Sequence, residues 1–334
     1  MRIAIANDMP LAVEALRRAL AAEPEYQLIW VASNGEEAVS RCREDRPELL
    51  LMDMLMPGMD GVEATRQIMN DTPCAILIVT SDVERNMSRV FDAMGAGALD
   101  VVAAPSLGPQ QVLDAAAVRR KIHNIAWMIG HKTSRSVKPT PVRSADNRGK
   151  RLVAIGASAG GPASPVELLR QIPADFPASI VLVQHVDEVF AAGMAQWLGS
   201  ESNIPVRLAR EGEVLQPASV LLAGTNNHLY LAPEGRLVYR REPVDQVYRP
   251  SIDVFFESVA THWRGEAIGV LLTGMGRDGA RGLKLMRERG FHTIAQDQAS
   301  SAVYGMPKAA VALDAATEVL PLDRIPTRLI ERLG

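Results

Sequence analysis

Cysteine is nearly absent. Cys42 and Cys74 sit in apolar contexts and make neither a metal-ligand nor a redox spacing, so they read as buried, reduced thiols of a cytoplasmic protein. An excess of either charge is missing too: 36 Lys and Arg against 39 Asp and Glu leave a formal net charge of -3. Nothing therefore argues for a dedicated nucleic-acid surface, and no DNA-reading module is recognisable. No stretch approaches the roughly 20 apolar residues that cross a bilayer. Asp8 and Pro10 interrupt the N-terminal apolar run before it could act as a signal peptide. The expectation is a soluble, cytoplasmic protein without membrane insertion, and 334 residues suit two domains.

What is present is organised around Val153-Ala154-Ile155-Gly156-Ala157-Ser158-Ala159-Gly160-Gly161. An apolar run ends in small residues, with Ser158 at the centre of a G-x-S-x-G pattern. Such a pattern marks a strand-to-helix elbow that presents a hydroxyl at the end of a parallel sheet. Residues larger than Ser would clash with the strand or the following helix. Ser158 is thus the candidate nucleophile of an acyl-transfer enzyme.

The N-terminal half alternates regularly. Strands are predicted over 2–6, 27–31, 48–52, 75–79 and 99–102, and helices at Leu11–Leu20 and over 35–44, 61–69 and 84–94. This order predicts an α/β domain, a doubly wound parallel sheet with helices on both faces and function at the strands' carboxyl ends. Asp8, Asp53 and Thr80 fall there. Their oxygens suit a hard ion such as Mg²⁺, and a carboxylate beside it can accept a phosphoryl group.

With Asp53-Met54-Leu55-Met56-Pro57-Gly58 and Asp60-Gly61 following, residues 1–107 resemble a response-regulator receiver domain. The resemblance implies Asp53 as phosphoacceptor, Asp8 as metal-site acid with Asp53, Thr80 as switch hydroxyl, and a histidine kinase as phosphodonor. Three positions depart from the pattern: Asn7 stands for a second acid, Ala104 for the Lys before Pro105, and Val101 for a switch aromatic.

Residues 108–131 are predicted to continue helically, and 132–151 are rich in Ser, Thr, Pro, Arg and Lys. That composition cannot repay its ordering entropy and reads as a solvated tether, so 108–150 form an extended helix and linker. The second domain, 151–334, again reads as α/β with a largely parallel sheet. Predicted strands are 151–156, 179–184, a run near 206–208, 219–223, 228–232, 267–272 and 293–296. A helix is predicted over 193–198, a long one begins after Pro250-Ser251-Ile252-Asp253, and others lie at 280–289 and, as the last, after Met306-Pro307.

His185 is the histidine that directly follows a strand read as parallel, level with Ser158. His228, in a Thr-Asn-Asn-His turn, is its rival. Asp278, read as ending a third strand, is placed to hold the imidazole's tautomer. Backbone N–H groups of Ala159 and Met275 are candidate oxyanion donors. The loop Gly274-Met-Gly276-Arg-Asp-Gly279 also matches a dinucleotide fingerprint, with Asp297 as ribose contact, and a non-catalytic adaptor is a third possibility.

The order Ser…His…Asp differs from α/β-hydrolases and from both familiar serine-protease orders. The second domain instead resembles the chemotaxis receptor methylesterases, the CheB family. The matching stretches are Ile155-Gly-Ala-Ser-Ala-Gly-Gly161, Val183-Gln-His-Val186, Arg249-Pro-Ser-Ile-Asp253, Leu272-Thr-Gly-Met-Gly-Arg-Asp-Gly-Ala280 and Val303-Tyr-Gly-Met-Pro307. Receiver, linker and this domain make up that family's layout, and the Asn7-Asp8-Met9-Pro10 start resembles its WspF-type members. The resemblance implies a Ser158-His185-Asp278 triad with no cofactor, acting on glutamate γ-methyl esters of a chemoreceptor's cytoplasmic domain. Glutamine deamidation is an implied second activity. The expected regulation is a receiver lying across the cleft until Asp53 is phosphorylated.

Overall fold

In the computed structural model the chain forms two compact units, Met1–His131 and Lys132–Gly334. All residues are described except 81–86, 108–112, 131–148, 160–162, 245 and 247. The predicted tether lies almost wholly outside the described residues, as do the start of the 84–94 helix and Gly160-Gly161 of the Ser158 motif.

The first unit runs β1 (Arg2–Ala6), α1 (Pro10–Ala21), β2 (Gln27–Ala32), α2 (Gly35–Glu44), β3 (Leu49–Asp53), α3 (Gly61–Asp71), β4 (Ala75–Thr80), α4 (Met87–Gly95) and β5 (Asp100–Ala103). The five strands are parallel in the order β2-β1-β3-β4-β5. Strands buried on both faces need continuous apolar runs, and Ile3–Ala6, Leu49–Met52 and Ile76–Val79 supply them. The chain direction of travel reverses between β1 and β3, so the crevice of a doubly wound sheet opens beside Asp8 and Asp53. Helices start where the sequence caps them: Asn34 Oδ1 accepts from Glu37 N at 2.8 Å and Asp60 Oδ1 from Glu63 N at 2.9 Å.

The predicted helix over 108–131 is corrected. β6 (Ser106–Leu107) pairs antiparallel with β7 (Leu113–Asp114), and α5 (Ala116–Gly130) starts only afterwards. Residues 108–112 of that prediction lie outside the described residues; Leu113–Asp114 are extended by their pairing with Ser106–Leu107, which holds the helix back to Ala116.

The second unit comprises β8 (Arg151–Ala157), α6 (Ala163–Arg170), β9 (Ser179–Gln184), α7 (Glu188–Glu201), β10 (Val206–Leu208), β11 (Glu213–Val214), β12 (Ser219–Leu222), β13 (His228–Leu231), β14 (Arg236–Arg240) and α8 (Ile252–His262). It continues with β15 (Glu266–Leu271), α9 (Ala280–Glu288), β16 (His292–Gln296), α10 (Met306–Ala312), β17 (Glu318–Leu320) and, after a 3₁₀ turn, α11 (Ile325–Leu333). Seven strands form one parallel sheet in the order β10-β12-β9-β8-β15-β16-β17.

Three expectations change. The strand read at 228–232 leaves the main sheet and joins β11 and β14 in a small antiparallel sheet, β11-β14-β13. The helix after Met306 is followed by β17 and α11 rather than ending the fold, and α7 extends well beyond 193–198 because Asp187 caps it (Oδ1 to Val189 N, 3.4 Å). Among the described residues no helix is long and apolar enough to cross a membrane.

The core between this sheet and its α8–α9 face is built from Phe255, Phe256, Val259, Trp263, Leu283 and Met286 against Leu152, Val181 and Leu271. β8 leads through β9 and β12 to one edge, whereas β15 leads through β16 to the other. The carboxyl ends of β8 and β15 therefore flank the switch point where an open α/β sheet offers a crevice.

Candidate active site

Register sets the first two side chains level. Ala157 pairs with Gln184 across β8 and β9, so Ser158 and His185 are each the first residue past the sheet. His185 N donates to Ala157 O (3.1 Å), Ser158 N to Thr273 O (3.0 Å), and the Gln184 amide to Ser158 O (2.9 Å). Backbone on both sides thus holds the turn. Gly156 is required: a Cβ there would lie 2.3 Å from Ile252 Cγ2. The crowding comes from α8, not from the helix that follows the Ser.

Ser158 Oγ lies 3.0 Å from His185 Nδ1, and His185 Nε2 lies 2.8 Å from Asp278 Oδ2. A neutral imidazole satisfies both contacts as the Nε2–H tautomer, donating to the carboxylate and accepting the seryl proton at Nδ1. The ring nitrogens have swapped the roles they play in the chymotrypsin arrangement, where Nε2 faces the serine. Ser158 is only 5% exposed, so the hydroxyl is recessed rather than presented at a bare elbow. The imidazole and the backbone at Gly274 pack against it.

Asp278 does not end a strand. β15 stops at Leu271, and the carboxylate sits in the loop 272–279, just ahead of α9. Its holder is the N-terminus of α8. Ile252 N (2.7 Å) donates to Oδ2, while Asp253 N (3.1 Å) and Ser251 Oγ (2.8 Å) donate to Oδ1. Burial pushes this acid up, but the His185 hydrogen bond and charge and the two backbone N–H groups outweigh it, and the net shift is downward. The helix end keeps the buried carboxylate ionised, as an anion at a helix N-terminus should be.

Neighbouring Asp253 is driven the other way, to about 8, first by burial and then by the charge of Asp278. Its Oδ1 accepts from Gly282 N at 2.8 Å, and Arg281 stands 3.8 Å from Oδ2. One buried carboxyl is thus held ionised beside another that keeps its proton at neutral pH.

His228 is not a rival base. It is fully buried, with Nε2 donating to Pro243 O (3.1 Å) and Nδ1 accepting from Ser251 N (3.1 Å). It therefore orients Ser251, which in turn holds Asp278. Sequence reasoning weighed His228 only as a base and missed its bracing role, and Ser251 escaped it as a site residue, although a Ser ahead of an apolar helical run is an N-cap signal. Tyr248 escaped it as well: its ring lies flat on His185, centroids 4.0 Å apart and planes within 8°.

Of the two candidate oxyanion donors, Ala159 follows Ser158 on the elbow, its carbonyl accepting from Thr273 Oγ1 at 2.9 Å. Met275 follows Gly274, whose backbone passes so close that a Cβ there would lie 2.8 Å from Ser158 Cβ. In the competing dinucleotide reading, Asp297 would face a ribose. It caps its own turn instead, its Oδ1 accepting from Ser300 N (2.9 Å) and Ser300 Oγ (2.7 Å).

In the first unit, Asp53 accepts from Met54 N (2.7 Å) and from the Asn7 amide (3.1 Å). Its pKa is pushed up to about 6, chiefly by burial; backbone N–H groups of Met54 and Leu55 oppose this and the Asp8 charge adds to it. Thr80, buried at the end of β4, lies one residue past the Asp53–Val79 pair, and Ala104 N donates to its carbonyl at 2.8 Å. Two carboxylates close enough for one to perturb the other are hard oxygen donors that a divalent cation would relieve, so the pair fits Mg²⁺. Asn7 makes the site one charge poorer, and no cluster of three His, Cys, Asp or Glu occurs among the described residues.

Residues 153–329 match the CheB methylesterase family, and residues 3–117 match the response regulator receiver domain. The chain belongs to the CheB methylesterase family. It is 67% identical to protein-glutamate methylesterase/protein-glutamine glutaminase 2 of Pseudomonas syringae pv. syringae, over 99% of both chains. A similarly named protein of Cupriavidus metallidurans is 60% identical over 100% of this chain and 99% of its own. Among solved structures, the CheB methylesterase catalytic domain of Thermotoga maritima is similar at 35% identity with a TM-score of 0.53. That match covers 55% of this chain and 99% of the other.

Proposed function

We propose that this CheB-family chain hydrolyses glutamate γ-methyl esters on a chemoreceptor's cytoplasmic domain, and deamidates glutamine there, with Ser158, His185 and Asp278 as its triad. The continuous chain of contacts from Ser158 Oγ through His185 to Asp278, 3.0 and 2.8 Å long, carries the reading. His185 Nδ1 takes the Ser158 proton as Oγ attacks the ester carbonyl, and Asp278 steadies the imidazolium through Nε2–H. The oxyanion forms beside the Ala159 and Met275 N–H groups. The tetrahedral intermediate collapses, the imidazolium protonates the departing methoxide, and methanol leaves a glutamyl ester on Oγ. Water, deprotonated by Nδ1, then attacks that ester, releasing the glutamate carboxylate and restoring the serine. No cofactor is needed for these steps.

In this reading residues 1–107 form a regulatory receiver, 108–150 a connecting helix and linker, and 151–334 the esterase, working in the cytoplasm without nucleic acid or membrane insertion. Asp53 receives a phosphoryl group from a chemosensory histidine kinase, Asp8 and Asp53 hold Mg²⁺, and Thr80 acts as the switch hydroxyl. Bound Mg²⁺ supplies charge neutralisation for that transfer. Ala104 leaves the new anion with one cationic partner fewer than most receivers provide.

Methanol release from methylated receptor tests both halves. Ser158→Ala and His185→Ala should abolish it; hydrolysis retained by either variant refutes the triad. A small-molecule phosphodonor should raise the wild-type rate and leave Asp53→Asn unaffected. Equal stimulation of both proteins would remove Asp53 from the switch.

A further inference from the structure

We infer that Tyr248 is a positioning residue for the general base, stacking on His185 to fix the imidazole plane and favouring the imidazolium that forms during acyl transfer. The inference rests on the triad reading and extends it to a residue outside the triad. The phenol lies 4.0 Å from the imidazole, centroid to centroid, with the planes 8° apart. In that plane Nδ1 reaches Ser158 and Nε2 reaches Asp278 at the same time. Rotation of the ring about its Cβ–Cγ bond would break both contacts, and a flat neighbour on one face resists that rotation.

One side chain holds described residues on either side of Tyr248. His228 donates through Nε2 to the carbonyl of Pro243 and accepts at Nδ1 from Ser251 N, each at 3.1 Å. Arg249 adds a hydrogen bond to the Val244 carbonyl within the segment. Ser251, the residue at the far end, donates to Asp278. The stacking ring and the carboxylate's holder thus belong to one short piece of backbone, so the imidazole is gripped on its face and at its Nε2 edge by the same strap.

Electrostatics makes the stack more than packing. Neutral aromatic rings avoid full face-to-face overlap because their quadrupoles repel. A cation over a phenol face is attracted by the same quadrupole. The contact is therefore stronger when His185 carries the seryl proton than when it is neutral. An interaction that strengthens on the way to the transition state raises kcat rather than substrate affinity.

The test compares Tyr248→Phe and Tyr248→Leu in the full chain, with Ser158→Ala alongside, scored by methanol release from methylated receptor. Tyr248→Phe, which keeps the ring, should hold kcat within about twofold. Tyr248→Leu should lower kcat by about 3- to 30-fold, the range of a cation–π contact, with KM little changed. Unchanged kcat in Tyr248→Leu, an equal loss in Tyr248→Phe, or a rise in KM alone would each overturn the inference. In wild-type protein the ring protons of His185, assigned by their loss in His185→Gln, should resonate upfield under the phenol's ring current. Resonances at ordinary positions would overturn the stack even if Tyr248→Leu fails to fold. Activity surviving in Ser158→Ala refutes the triad itself, whereas a dead Ser158→Ala with a normal Tyr248→Leu refutes only the role of Tyr248.

Discussion

Adding one methyl group at Gly274 should disable the nucleophile without touching a polar atom. A Cβ at 274 would lie 2.8 Å from Ser158 Cβ, 2.5 Å from Met306 Sδ and 2.8 Å from Met306 Cε. The methionine tail is flexible and can withdraw. Ser158 cannot withdraw as easily, because its own N–H is bonded to Thr273 O and its carbonyl to the Gln184 amide. Ordinary contact begins at 3.4 Å, so the serine or the 274 backbone must yield about 0.6 Å. Displacements near 1 Å at a reacting atom cost roughly 100-fold, and overpacking costs about 1–3 kcal/mol of stability. Gly274→Ala should therefore melt a few degrees lower, fold normally, and lose about 10- to 100-fold in kcat. Methanol release and the rate of Ser158 labelling by a fluorophosphonate measure the loss. Activity within threefold of wild type in a folded Gly274→Ala protein would mean that the 274 backbone does not confine the serine.

Asp278→Asn should lower kcat by about 1,000- to 10,000-fold, because an amide cannot accept from Ile252 N, Asp253 N, Ser251 Oγ and the imidazole together, and it favours the wrong tautomer. A loss under tenfold, measured on receptor methyl esters, would refute that account. Asp253 makes a pH prediction. Its folded pKa is raised to about 8, whereas in the unfolded chain it ionises near pH 4. Its contribution to stability is therefore fully present below about pH 4 and is lost as pH rises toward 8, by at most about 1.4 kcal/mol per pH unit. Asp253→Asn should flatten the decline in urea midpoint between pH 6 and pH 8; parallel curves for the two proteins would contradict the assignment.

Much of this architecture was legible because it is written in local patterns. Continuous apolar runs named most strands of both parallel sheets, and the residue after each run named Asp53, Thr80, Ser158 and His185. The failures have local causes too. Pairing of Leu113–Asp114 with Ser106–Leu107 overrode the helical spacing ahead of α5, and β11, β14 and β17 are too short or too exposed to announce themselves. β13 reads like a core strand yet pairs antiparallel outside the main sheet, since pairing partners are not encoded in a strand's own composition.

The amino-acid order alone determined the strand–helix alternation, the small-residue turn at 156–159 and the chemistry available at the sheet ends, since each follows from sterics and burial within a few neighbouring residues. Tertiary structure decided which imidazole nitrogen faces Ser158, that Asp278 is held by the start of α8, that His228 is a brace, and that Tyr248 covers the base. Ser158 and His185 are 27 residues apart, and His185 and Asp278 are 93 apart. Contacts at such separations, and the opposite protonation of two neighbouring carboxyls, depend on distances that exist only once the sheet has assembled.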